Sequence, residues 1–168
     1  MKNIVLAALL CCIATCTWAQ AIKKDSLAAI KPGTRINVVV DFAEAAIMGM
    51  DEKAFAAYET DWKADKGTVV ANLVNGINNR LDGVLTVGDF SDSPYTLKVD
   101  VKDISAKSKM VCDARLTGQD GKLYLYVKQV NGGKIPPLPG TKLARIKYWA
   151  TFTGRSLGST IRKQYLSQ

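Results

Sequence analysis

Asp41 and Glu44 stand three residues apart at the end of the first strongly β-patterned run, where a general acid and a nucleophile for glycan or peptide hydrolysis could be placed. A chain with 15 acids offers such pairs by composition alone, so the spacing is a weak signal. Histidine is absent throughout. That excludes Ser-His and Cys-His nucleophile pairs, histidine zinc ligands and imidazole general bases, all of which need a side chain that titrates or ligates near neutral pH. Gly132, Gly133 and Lys134 begin like a phosphate loop, but Ile135 and Pro136 follow where the loop needs Ser or Thr. The turn from Asp89 to Asp92 could hold calcium only weakly, because further oxygen ligands are missing, and it reads as a solvated turn. The residue types therefore call for no cofactor, no metal and no catalytic residue.

Charge is the more informative chemistry. The chain of 168 residues carries a formal +8. From Lys122 to Gln168 there is no Asp or Glu, yet nine cations occur, among them Lys142, Arg145, Lys147, Arg155, Arg162 and Lys163. Between Arg35 and Asp65, seven acids face three cations. Such asymmetry can attract an acidic partner, or the two segments can lie side by side and neutralise each other. Tyr124, Tyr126, Tyr148, Trp149 and Phe152 interleave with the cations in a way that could stack bases. An exported protein seldom meets nucleic acid, so an envelope protein, an anionic surface polymer or lipid headgroups suit this basic face better.

Export is read from Met1 to Ala19. Lys2 supplies a positive start, Ile4 to Ala14 an apolar stretch, and Thr17 and Ala19 the small residues before a cut ahead of Gln20. The apolar stretch falls short of the roughly 20 residues a membrane-crossing helix needs. Lipidation at Cys11, Cys12 or Cys16 is disfavoured by the preceding Leu10, Cys11 and Thr15, none of them the Gly, Ala or Ser usual before a lipid-modified cysteine. Removing 19 of the 168 residues leaves 149 and a single thiol, Cys112, so no internal disulfide can form. Cys112 alternates with Met110, Ala114 and Leu116 and reads as a buried structural thiol.

These residues must be positioned by one α+β domain over 35–168, preceded by a flexible leader over 20–34. The expected architecture is a mixed or mostly antiparallel sheet of about five strands with about three helices on one face, in the order β-α-α-β-β-β-β-α. Arg35 to Phe42 reads as a buried strand and Ala43 to Met50 as a connecting loop. Asp51 caps a helix whose Ala54, Phe55, Tyr58 and Trp62 form one aromatic stripe, and Gly67 ends it. A second helix spans Thr68 to Leu81, with Asn72, Asn75, Asn78, Asn79 and Arg80 in water. A short strand around Val84 to Val87 follows. Tyr95 to Val101, Lys109 to Thr117 and Lys122 to Val130 form a meander with one wet and one dry face. The proline-rich crossover Asn131 to Gly140, with Pro136, Pro137, Leu138 and Pro139, reads as a stiff linker to a helix capped by Thr141. In that helix Leu143, Ile146, Ala150, Leu157 and Ile161 form the buried stripe. Ala150, Gly154 and Gly158 permit close approach to another backbone.

The strand Ile36 to Phe42 running into Ala43 to Gly49, the segment Tyr58-Glu59-Thr60-Asp61-Trp62, the strand opening Tyr95-Thr96-Leu97, the basic glycine-containing closing helix and the Ala19-Gln20 junction together resemble a group of small exported proteins of Bacteroidetes-type bacteria. The resemblance implies a small α/β envelope domain and no established activity. The expected function is thus a non-catalytic periplasmic or secreted binding or assembly module that uses Lys142, Arg145, Lys147, Arg155, Arg162 and Lys163 as its basic face. The alternatives are a carboxylate-dependent hydrolase and a peripheral binder of anionic envelope surfaces. Mass spectrometry of the protein recovered from periplasm or medium should find a chain starting at Gln20; a full-length chain retained inside the cell would remove the export assignment.

Overall fold

The computed structural model describes residues 26–134 and 139–167; the signal segment 1–19 and residues 135–138 of the proline-rich run lie outside the described residues. The elements are a 3-10 turn at Leu27–Ala29, β1 at Thr34–Asp41, β2 at Ala46–Ile47, α1 at Glu52–Tyr58, α2 at Trp62–Leu81, β3 at Leu85–Gly88, β4 at Tyr95–Ile104, β5 at Met110–Gly118, β6 at Leu123–Asn131 and α3 at Lys142–Leu166. The expected α+β class and element order hold, with one added strand. Strands lie in the order β3-β1-β4-β5-β6, and β2 pairs with β4 beyond the end of β1. β1 runs parallel to both neighbours, whereas β4, β5 and β6 form the antiparallel meander.

Alternation explains the two-faced sheet. Leu97, Val99 and Val101 of β4 and Cys112, Ala114 and Leu116 of β5 are buried beneath the helices, while Lys98, Asp100 and Arg115 between them reach the opposite face. Burial pushes the Cys112 thiol up to about 12, which keeps it protonated and inert.

Four local expectations change. Ala43 to Met50 is not all loop, because Ala46 and Ile47 pair in register with Asp103 and Ile104. The leader is anchored from Ser26 onward: Leu27 and Ile30 are fully buried, and the Tyr165 hydroxyl donates to the Ile30 carbonyl at 2.7 Å. Gly67 does not break a helix but lies inside α2, and the break falls at 59–61 instead. In one straight helix Phe55 and Trp62 would stand about 10 Å apart along the axis. The break lets Trp62 turn back so that its ring meets Phe55 at 5.3 Å and Phe42 at 5.7 Å, both edge to face. Tyr58 thereby leaves the aromatic stripe for solvent. Finally, Asn78 does not face water. Its amide donates to the Val87 carbonyl at 2.7 Å and accepts from the Val87 N–H at 2.8 Å, tying α2 to β3, while Asn72 donates to the Lys147 carbonyl at 3.2 Å.

The two long helices lie against the sheet and against each other. A Cβ on Gly154 would run into the Leu73 carbonyl, one on Gly158 into the Ile77 carbonyl and one on Gly76 into the Thr151 carbonyl. Small residues on both helices thus let backbone meet backbone, while Leu73, Ile77, Ala150, Leu157 and Ile161 fill the interior. Each buried Leu or Ile stabilises the fold by about 1.5–3 kcal/mol. Gly67, by contrast, is exposed and has nothing within 4 Å of an added Cβ. Gly67→Ala should therefore stabilise the protein by about 0.5–1 kcal/mol, and Gly154→Ala should destabilise it by more than about 1 kcal/mol, in chemical denaturation. Equal effects of the two substitutions would contradict the helix contact.

Candidate functional site

Two surfaces gather charge. The first is the wet face of the sheet, where β1, β4, β5 and β6 contribute side chains to a cleft of about 290 Å³. Alternation puts Asp41 at the end of β1, Lys98, Asp100 and Lys102 on β4, Asp113 and Arg115 on β5 and Tyr126 on β6 along its walls, with Glu44 at the rim. The structure thus brings Asp41 and Glu44 to one cleft, as their spacing suggested. Both are engaged by lysines: Lys98 Nζ lies 2.9 Å from Asp41 and 3.0 Å from Asp100, and Lys102 Nζ lies 2.7 Å from Glu44. Arg115 reaches the other oxygen of Asp100 at 3.4 Å, and Asp113 accepts from the Gln129 N–H at 2.8 Å.

The Ala43 N–H, donating at 2.9 Å, and then the Lys98 ammonium hold the Asp41 carboxyl below the usual carboxylate range. The same bonds, to Asp41 first and Asp100 second, raise Lys98, and Glu44 raises Lys102. A glycosidase acid needs the opposite, a carboxyl kept protonated near neutral pH by burial or a like charge. The face is a ladder of alternating charges satisfied from within.

The second surface is α3, which runs 25 residues from the Thr141 cap, whose hydroxyl accepts from the Ala144 N–H at 3.2 Å. All six expected cations lie on this helix, but they divide into two groups. Toward the start, Lys142 donates to the Tyr58 hydroxyl at 2.9 Å and sits 4.4 Å over its ring, Arg145 donates to the Gly140 carbonyl at 3.1 Å, and Lys147 pairs with Asp65 at 2.7 Å. The Lys147–Asp65 pair is the neutralisation of acidic by basic segment that the charge map allowed. Toward the end, Arg162 pairs with Asp82 at 3.1 Å, Arg155 lies 5.4 Å over the Phe152 ring, and Lys163 is exposed with no acidic partner among the described residues.

A seventh cation, Arg80 of α2, joins this second group. Two shallow hollows of about 210 and 280 Å³ lie along the α2–α3 seam and share Arg80 and Ser159 as lining residues. Arg155, Ser156 and Phe152, with Gly132 just after β6, complete the first, and Arg162, Lys163 and Leu166 the second. Arg80 is placed there by the glycine contact, because its Cβ lies 3.0 Å from where a Cβ on Gly158 would stand. Composition hid this residue, since it falls far from the basic tail. The usable signal was its position four residues after Gly76, on the flank by which α2 meets α3.

Among the described residues no group of three or more Asp, Glu, Cys or His could hold a metal ion, and no helix is long and apolar enough to cross a membrane. No protein-family model and no curated protein matches the chain. Among solved structures, a crystal structure of a Xanthomonas campestris protein assigned to the family model DUF330 is similar at 11% identity, over 82% of this chain and 87% of that one, with a TM-score of 0.39.

Because Asp41 is held low in the folded state, its contribution to stability is complete above the ordinary aspartate value, about 3.9, and is lost as pH falls through the lowered one. Asp41→Asn should lower the melting temperature at pH 7 relative to the parent, and the gap should close as pH drops below about 4. A gap that persists unchanged to pH 2 would mean that the Lys98 pairing is not its source.

Proposed function

We propose that the protein is a non-catalytic module of the periplasm or outer surface that binds an anionic envelope partner through its basic C-terminal helix. The single observation that carries this is the unequal treatment of charge on the two surfaces. In the cleft on the sheet face both lysines, Lys98 and Lys102, have a carboxylate within 3.0 Å, so cations and acids there answer one another. On the second half of α3, Arg155 and Lys163 have no acidic partner among the described residues, and Arg80 beside them has none either. Unmatched cations gathered on one surface attract anions over a Debye length, about 8 Å at physiological salt.

The hydrolase alternative finds less support. Asp41 and Glu44 share a cleft, but Asp41 is stabilised as the carboxylate rather than prepared as a proton donor, and Glu44 is paired with Lys102 on an exposed rim. The kinship with exported Bacteroidetes-type proteins, and export itself, belong to the same proposal. They rest on the leading nineteen residues and on the sequence pattern.

Binding to immobilised heparin and to vesicles containing anionic lipid, measured at 20 mM and 300 mM salt, tests the proposal. Binding to at least one probe should be clear at the lower concentration and fall steeply at the higher. Absence of binding to both at 20 mM salt would overturn it.

A further inference from the structure

The groove on the α2–α3 seam is more selective than a basic helix back. Its lining residues on α3 are Phe152, Arg155, Ser156, Ser159, Arg162, Lys163 and Leu166, spaced by three and four, which is one face of one helix over about 21 Å. Arg80 enters from the facing helix at the midpoint, where both hollows meet. Among the described residues no acid lines either hollow. Asp82 pairs with a single Nη of Arg162 at 3.1 Å, and the guanidinium remains partly exposed beside the second hollow.

Resting on the anion-binding function proposed above, we infer that this seam holds a linear polyanion bearing phosphate or sulfate groups along its length, with Arg80 and Arg155 as its central contacts. Guanidinium groups suit tetrahedral oxyanions because they present paired N–H donors, and the Ser156 and Ser159 hydroxyls add donors that a group with several acceptor oxygens can use. Elongation favours a chain over a compact ion: two shallow hollows joined end to end match repeated charges and enclose none of them. A bilayer fits less well. Among the described residues the exposed large apolar side chains, Val39, Tyr58, Tyr126, Tyr148 and Leu166, are scattered over several elements, and of these Leu166 alone borders the groove, so they form no apolar face there to enter a membrane. Lys163 and Arg80 also sit in the last turns of their helices, where a cation offsets the helix dipole, a local benefit that leaves their outer donors open.

The full exported chain, its Arg80→Gln/Arg155→Gln double variant and its Lys142→Gln/Arg145→Gln double variant are compared by titration with long-chain polyphosphate, with a heparin oligosaccharide and with phosphatidylglycerol vesicles, each over a salt series and each checked for native circular dichroism. The seam predicts at least a tenfold loss of polymer affinity for the first variant, a salt slope shallower by about one to two, and less than a threefold change for the second. Equal losses in both variants, or a greater loss in the second, would overturn the seam while leaving anion binding by the helix intact. Binding to vesicles with none to either polymer would overturn the choice of ligand. Absence of binding to all three probes at low salt would overturn the seam together with the function on which it rests.

Discussion

Backbone meets backbone where α2 crosses α3, and most of the molecule is arranged around that contact. Gly76 on one helix and Gly154 and Gly158 on the other remove the side chains that would hold the axes apart. Each glycine inside a helix costs about 1 kcal/mol of intrinsic helix stability relative to alanine. The close approach offsets this by letting Leu73, Ile77, Leu157 and Ile161 reach the sheet in a single dense layer. It also determines which outer residues become neighbours, and so it brings Arg80 to Arg155 across 75 positions of sequence.

The two sides of the sheet treat charge by different rules. Where the sheet is bare, strands about 4.8 Å apart set lysine, arginine and aspartate across the rungs, and Lys98, Arg115, Asp41 and Asp100 find short-range partners. These exposed pairs contribute little to stability individually because solvent screens them. Their effect is on the field: paired charges largely cancel at a distance. On the helical side, among the described residues, Asp65 of α2 and Asp82 just after its end are the acids paired with α3, and the remaining cations keep their reach.

Much of this was legible in the sequence, for identifiable reasons. The meander announced itself because Leu97, Val99 and Val101 alternate with Lys98 and Asp100, a period that only a strand satisfies. The closing helix was equally plain from Leu143 to Ile161, and its small-residue stripe correctly implied a tight backbone contact. What escaped was tertiary in origin. Gly67 looked like a helix stop because propensity argues locally, yet a cost of about 1 kcal/mol yields to the burial of Trp62 against Phe42 and Phe55. Asn78 looked solvated because its partners belong to a strand that only the fold brings alongside. The clustering of Asp41 with Glu44 was readable from their spacing, but not the lysines that engage them, which lie more than fifty residues further on. Arg80 was missed for the same reason.

The amide of Asn78 has a role beyond holding α2 in place. By occupying both outward main-chain groups of Val87, it takes the place that a further strand would need beside β3. At the opposite margin no strand pairs with the outer side of β6 among the described residues, but Gln129 stands at a left-handed φ of 52° and the pairing with β5 slips twice along its length. One margin is plugged and the other is crooked, so the sheet cannot be extended at both ends in the way that runaway fibrous stacking of identical chains requires.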